Sequence, residues 1–433
     1  MQNKLFPRTL LTMLIKWIDR REAYAIKGPR QSGKTTILKL LQHYLITDKQ
    51  VNPDNIVFLT LEDREILDKF SKNPKEFVRS YIAHKPRERF YFFLDEFQYL
   101  NDGGRTLKLL YDLFENIKFI ITGSSSLELA EKTAKFMVGR MFSFHLYQLS
   151  FAEFINVKSR QLENVYLEKS QLVKKFIARG DPIPIQKDIF LDDLRAQFEE
   201  YALYGGYPEV IKTEDNETKK MIIKGIYETY LTHDIIELLK ITDVTRFRTI
   251  VALLANQIGN LINYNDLASD SQSYFKQIKH FLSVLEETFV IELIKPFYKN
   301  RTTELKKNPK VYFIDTGLRN YINRNFNFVD LRSDKGGIIE NVVFAQLNIY
   351  NFSPIKYWRT LAGAEADFII EADQNIVPIE VKYSNFKEPK ISRGFRSFIN
   401  VYQPKCAAVL TKNFWGEMKV GDARVAFIPV FYL

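Results

Sequence analysis

Gly28, Pro29, Arg30, Gln31, Ser32, Gly33, Lys34 and Thr35 stand in the order G-x-x-x-x-G-K-T. Two glycines let a loop pass close to an anion, the lysine meets its charge, and the hydroxyl reaches a cation beside it. A nucleotide triphosphate with Mg²⁺ suits that order. A second group is Asp95-Glu96, directly after the apolar run Phe90-Tyr91-Phe92-Phe93-Leu94. There Asp95 would hold Mg²⁺ through water, and Glu96 would polarise an attacking water as general base. A third group is Asp367, Glu380 and Lys382, with Glu340 upstream. Two carboxylates on neighbouring strands can chelate Mg²⁺ or Mn²⁺, a lysine can orient a hydrolytic water, and Glu340 adds an outer metal contact.

The elements around the first two groups are those such chemistry needs. Ala23-Tyr24-Ala25-Ile26 reads as a buried strand, and a helical pattern begins at Thr36. Strand, glycine turn and helix N-terminus form a phosphate cradle running from Gly28 through Thr36, with Lys34 on the β- and γ-phosphates and Thr35 on Mg²⁺. Ile56–Thr60 is a second strand and Phe90–Leu94 a third, so the Asp95-Glu96 pair, a Walker B pattern, ends the third strand. That points to the ATPase class with an inserted strand and a catalytic glutamate. Lys118–Thr122 is a fourth strand, running into Gly123-Ser124-Ser125-Ser126, whose hydroxyls either sense the γ-phosphate or cap the next helix. Gly139-Arg140 precedes a fifth strand, Phe142–Tyr147, and Arg140 is either a phosphate contact or a surface arginine.

Four segments are expected: a P-loop domain over 1–150, a helical lid over 151–242, a winged helix over 243–320 and a C-terminal domain over 321–433. The lid carries a loop at Asp181-Pro182-Ile183-Pro184 and a sharp turn at Gly205-Gly206-Tyr207-Pro208. In the third segment, three helices precede two strands flanking the basic stretch Lys299–Lys310. This outline suits DNA binding through Lys276 and Lys279, or a protein joint. In the last, a helix over Ile338–Tyr350 leads into Ile355–Arg359, Asp367–Ile370 and Pro378–Lys382. Alternation puts Glu380 and Lys382 on one face. This order is that of a restriction-nuclease-like α/β domain, with active or merely structural charges.

Composition narrows the classes. The 433 residues carry 62 Lys+Arg against 52 Asp+Glu, a net charge of +10 that makes a nucleic-acid partner more plausible without establishing it. One cysteine, Cys406, excludes intramolecular disulfides and a Cys-rich zinc site. No apolar run is long enough to span a membrane, the stretch Leu5–Ile18 lacks a leader cleavage pattern, and a cytoplasmic protein is expected.

The chain as a whole resembles a prokaryotic family of P-loop ATPases that join an AAA-type ATPase domain to a C-terminal domain of unknown function. The likeness is carried by G-P-R-Q-S-G-K-T-T, F-F-L-D-E-F-Q, I-T-G-S-S-S, G-G-Y-P, and the late run Y-W-R-T, E-A-D-F-I-I and P-I-E-V-K-Y-S. The resemblance implies ATP binding and hydrolysis, a winged helix, and a C-terminal PD-(D/E)xK nuclease-like fold. It places Lys34 and Thr35 on phosphate and Mg²⁺, Asp95 and Glu96 at Walker B, and Glu340, Asp367, Glu380 and Lys382 at the nuclease-like site. Two departures stand out: Phe97 where the family has Ile, and His233 where it often has Arg before Asp234.

The resulting expectation is an ATP-hydrolysing, DNA-associated protein in which ATP controls the winged-helix and nuclease-like regions. The alternative is a nucleotide-switched signalling or scaffold protein whose C-terminal domain binds a partner without cleavage. A homo-oligomer or protein partner is compatible with both. The absence of an N-K-x-D guanine motif favours ATP over GTP.

Overall fold

The computed structural model describes residues 6–123, 136–184, 188–238, 241, 243–298, 304, 307–352, 354–372 and 375–433. The chain folds as two compact units: Met1–Gln148 with Glu287–Phe289, and Leu149–Glu286 with Val290–Leu433. The helices expected as a separate lid therefore belong to the second unit.

In the first unit, β1 (Ala23–Lys27), β2 (Ile56–Thr60), β3 (Phe90–Asp95), β4 (Ile117–Gly123) and β5 (Met141–His145) form one sheet in the order β2-β3-β4-β1-β5. All neighbours are parallel. The strand β4 thus separates the P-loop strand from the Walker B strand, while β2, which lies between them in the chain, sits on the far side of β3. Alternate residues face opposite cores. Ala23, Ala25, Phe92, Leu94 and Phe119 pack with Phe70, Leu107 and Leu110. Tyr24, Ile26, Tyr91, Phe93 and Ile120 pack with Leu14, Ile37, Leu38 and Leu41. The helices supplying these partners are α1 (Thr9–Lys16), α2 (Lys34–Thr47), α3 (Arg64–Lys72) and α5 (Gly103–Leu113), and α4 (Pro74–Ile82) adds Val78 to the first core. Burial on both faces is why the strands read as continuous apolar runs. Because the strands are parallel, the ends of β1, β3 and β4 that lead into Gly28, Glu96 and Gly123 share one edge of the sheet.

In the second unit, Ser150 and Glu153 form a reciprocal capping box that starts the helix Phe151–Lys158. Helix Arg160–Arg179 follows, and its Tyr166 stacks on Tyr432 and donates to the Leu433 carbonyl at 3.0 Å. Helix Leu191–Tyr204 ends at the Gly205-Gly206 turn. Asp315 accepts from Gly206 N at 2.7 Å and from Leu318 N at 2.8 Å, and so caps the helix Thr316–Ile322. Burial pushes the Asp315 carboxyl up to about 6, against the pull of the backbone N–H groups it accepts from. The G-G-Y-P stretch is thus a packing device tied to a residue more than a hundred positions away.

Helices Val244–Asn256, Tyr264–Asp270 and Phe275–Glu287 precede an antiparallel pair, β6 (Ile291–Ile294) and β7 (Lys310–Phe313). The six remaining strands are β8 (Ile355–Arg359), β9 (Glu365–Ala372), β10 (Asn375–Lys382), β11 (Cys406–Thr411), β12 (Gly416–Val420) and β13 (Ala423–Pro429). They form a mixed sheet in the order β12-β13-β11-β10-β9-β8, with β10, β11 and β13 parallel. The helix Lys335–Ile349 precedes this sheet and is buried over most of its length. Helix Arg393–Tyr402 packs Phe395, Phe398 and Ile399 against Trp358 and Phe427. Among the described residues no helix is long and apolar enough to cross a membrane.

Candidate functional site

The first candidate site forms where β1, β3 and β4 end. Gly28 leaves β1 with no room for a side chain: a Cβ there would overlap the Leu146 carbonyl oxygen. Gln31 and Gly33 take φ of 59° and 93°, which turns the loop so that α2 begins at Lys34. Arg8 ties the loop down from outside, donating to Ser32 O and to Tyr147 O at 2.7 Å each. The Lys34 ammonium bonds to Gly28 O at 3.1 Å and Pro29 O at 3.0 Å. Burial brings it down to about 8; the Glu96 and Asp95 charges oppose that shift and Arg30 adds to it.

Across the cradle, the Thr35 hydroxyl donates to Asp95 Oδ2 at 2.6 Å. Thr122 donates its hydroxyl to Asp95 Oδ1 and accepts from Glu96 N at 3.0 Å. Glu96 sits in the left-handed region at φ 54°, and Gln98 Nε2 donates to its Oε2. The two acidic residues are therefore held differently: Asp95 by the Thr35 and Thr122 hydroxyls, and Glu96 through its left-handed backbone N–H by Thr122 and through its carboxylate by Gln98. Thr35 and Asp95 together suit Mg²⁺, which usually takes one or two protein oxygens and completes its shell with phosphate and water.

Arg8 lies outside the quoted motifs, while Gln98 and Thr122 stand inside F-F-L-D-E-F-Q and I-T-G-S-S-S with no role assigned to them there. Thr122 could have been found from the sheet alone, since it ends the strand between β1 and β3. Arg140 is a correction. It precedes β5 at the edge where Ala23 pairs with Met141, its carbonyl accepts from Ala23 N, and its guanidinium meets Asp112 at 3.3 Å. A residue that enters a parallel strand lies at the opposite end from the phosphate loop, so Arg140 is no phosphate contact here. Ser124, Ser125, Ser126, the His233 side chain and most of the basic stretch after Tyr298 lie outside the described residues.

The second candidate site is in the C-terminal sheet. Ile379 pairs with Phe368, and the next step of that register sets Asp367 opposite Glu380. Asp367 Oδ2 accepts from Val381 N at 2.7 Å. Lys382 Nζ lies 3.3 Å from Glu380 Oε1, so the expected common face is present. Glu380 is buried, and its Oε2 has no hydrogen-bond partner among the described residues. Glu340, on the helix Lys335–Ile349, accepts at Oε1 from Tyr312 OH at 2.5 Å and from Lys310 Nζ at 3.2 Å. Lys310 also pairs with Glu365 at 2.5 Å.

The carboxylates expected to form a metal site, Glu340, Asp367 and Glu380, are drawn here into ion pairs and hydrogen bonds of the chain itself. Among the described residues no three His, Cys, Asp or Glu side chains converge as metal ligands. Each carboxylate is already engaged by an ammonium, a phenol or a backbone N–H. Burial, then the charge of Glu340, pushes the Asp367 carboxyl above its ordinary range, against the opposing Lys310 and Lys382. Lys310, Tyr312 and Glu365 escaped the sequence reading. Their one signal is a lysine opening the apolar run Val311-Tyr312-Phe313.

A family model described as an AAA domain matches residues 20–155. Two more, described as domains of unknown function DUF8612 and DUF4143, match residues 195–328 and 335–430. An uncharacterised protein of Haemophilus influenzae is 24% identical over 427 residues, 96% of each chain. An uncharacterised protein of Methanocaldococcus jannaschii is 24% identical over 355 residues, covering 80% of this chain and 71% of its own. A solved structure of a Walker-type ATPase of Pyrococcus abyssi covers 74% of this chain and 97% of its own at 14% identity and a TM-score of 0.46. The AAA domain match over residues 20–155 marks a P-loop, AAA-type ATPase-like domain in the N-terminal part of the chain.

Proposed function

We propose that the chain binds ATP with Mg²⁺ at the P-loop and hydrolyses it, and that nucleotide state controls the helical and C-terminal regions of the second unit in association with DNA. The observation that carries the reading is the hydrogen-bonded row Thr35–Asp95–Thr122–Glu96 beside Lys34. Gly28 through Thr36 would cradle the phosphates, with Lys34 leaving its own loop carbonyls for the β- and γ-oxygens. Thr35 and Asp95 would hold Mg²⁺, which when bound neutralises developing charge on the phosphates. Glu96, fixed by Thr122 and Gln98, orients and deprotonates the attacking water.

DNA association rests on the basic balance and on the three helices followed by an antiparallel strand pair, with Lys276 and Lys279 on the third helix. The engaged carboxylates of the C-terminal cluster favour a second reading for that region, as a partner-binding fold without cleavage.

The test is ATP turnover by the full chain with Mg²⁺, with and without duplex DNA. Hydrolysis that Glu96→Gln abolishes while ATP still binds, and that Lys34→Ala abolishes with binding lost, supports the ATPase. Hydrolysis persisting in Lys34→Ala sinks it. Stimulation by DNA, together with binding that weakens steeply with salt, supports the DNA association. Turnover indifferent to DNA and no affinity at low salt would favour the scaffold.

A further inference from the structure

A nuclease-like reading puts a divalent metal among the carboxylates of this sheet, and a cation of the chain itself lies among them: Lys310 Nζ is 3.2 Å from Glu340 Oε1 and 2.5 Å from Glu365 Oε1. β7 alternates, so Lys310 and Tyr312 share a face. That face is set by Asn341, which accepts from Phe313 N at 2.8 Å and donates to Phe313 O at 2.6 Å. Asn341 neighbours Glu340 on the same helix, so the lock that places β7 also registers Lys310 and Tyr312 against Glu340. The Tyr312 ring completes the fit, stacking on Phe344 with centroids 4.7 Å apart.

Lys310 is 1% exposed. A buried ammonium without partners would lose its charge; this one is paired with Glu340 Oε1 at 3.2 Å and with Glu365 Oε1 at 2.5 Å. Gly259 closes the other side. It is held at φ +72°, where a side chain is strained, and its missing Cβ would lie 3.3 Å from Glu340 Oε1. A divalent ion needs several oxygens at about 2.0–2.6 Å. Here it would meet the resident ammonium at short range, and Glu340 Oε1 is already shared by two donors.

We propose that Lys310 is the resident cation of the C-terminal cluster, so that in this fold the cluster holds an ammonium in place of a divalent metal. The second strand after the three-helix segment, β7, thereby supplies the charge that the C-terminal sheet needs. This assignment is independent of whether the first unit hydrolyses ATP or the second binds DNA.

The test is Mn²⁺ titration of the nucleotide-free full chain, followed by electron paramagnetic resonance. Wild type and Asp367→Asn should bind the same number of Mn²⁺ ions. Lys310→Met should gain one, and the double variant Lys310→Met with Asp367→Asn should lose it again. Lys310→Arg, which keeps the cation, should match wild type. A wild-type Mn²⁺ that Asp367→Asn removes would overturn the proposal, as would a folded Lys310→Met, with unchanged circular dichroism, that gains none. Should Lys310→Met fail to fold, the comparison of wild type with Asp367→Asn decides alone.

Discussion

The Lys34 ammonium turns back onto the Gly28 carbonyl, 3.1 Å away, closing the phosphate loop on itself. Burial holds that ammonium down at about 8, so above that pH a growing share of the free protein carries it neutral. Phosphate oxygens favour the charged form. ATP binding should therefore take up a proton when the pH lies above about 8, and affinity should fall as pH rises through that value. Below it Lys34 is already charged and uptake vanishes. Calorimetry at pH 8.5 in two buffers of different ionisation enthalpy reads the uptake directly. Lys34→Arg, charged throughout, should show none from this position. Equal heats in the two buffers for wild type would contradict the argument.

Thr122 is the joint between the two acidic residues: one hydroxyl donates to Asp95 and accepts from Glu96 N. Thr122→Val keeps the shape of the side chain and removes both bonds. A small displacement of a catalytic group can cost up to about a hundredfold in rate. The expected outcome is a fall in ATP turnover of about tenfold or more, with the ATP concentration for half-maximal rate little changed, because Lys34 and the loop are intact. Steady-state kinetics separates the two. A change confined to ATP affinity would show that Thr122 shapes binding instead.

Arg8 fastens the loop by two 2.7 Å bonds, to Ser32 O and Tyr147 O. Hydrogen bonds from a charged donor contribute about 1.5–3 kcal/mol each when an acceptor would otherwise be left bare. Arg8→Met should lower the melting temperature of the first unit and weaken ATP binding by about tenfold, since the loop is no longer preformed. At saturating ATP the turnover should stay close to wild type. Binding measured with a non-hydrolysable ATP analogue, beside a thermal melt, checks both halves.

These residues also mark what is legible in the chain. Gly28 through Thr35, Asp95 and Glu96 could be read because phosphate chemistry imposes their spacing, and β1 to β4 because burial on both faces leaves unbroken apolar runs. Arg8 could not, because its role exists only once distant segments meet; Thr122 could be placed at the end of its strand, but not its link to Asp95 and Glu96. Of the two readings of Arg140, the surface one follows from the sheet: residues entering a parallel strand lie opposite the edge where β1 and β3 deliver Gly28 and Asp95. In the C-terminal sheet, alternation correctly joined Glu380 to Lys382. Nothing in the spacing told that Lys310, seventy positions earlier, would reach the neighbouring Glu340. The Gly205-Gly206 turn was visible as a turn, but its partner Asp315 was not.

That partner makes the last prediction a comparison of two glycines. Gly205 has φ 76° and ψ −166°, a region open to glycine almost alone, and a Cβ there would overlap the Asp315 carboxylate. Gly225 lies in the helix Asn216–Ile226, and a Cβ there meets nothing within 4 Å. Gly205→Ala should destabilise the second unit by about 3 kcal/mol or more, adding backbone strain to a clash with a group that Gly206 N and Leu318 N hold in place. Gly225→Ala should stabilise by up to about 1 kcal/mol through helix propensity and a less free unfolded chain. Urea unfolding of the full chain, followed by a probe in each unit, distinguishes them. The first unit's transition should be the same in both variants. A Gly205→Ala as stable as Gly225→Ala would mean that the turn can relax away from Asp315, and that the capping of Thr316–Ile322 does not depend on it.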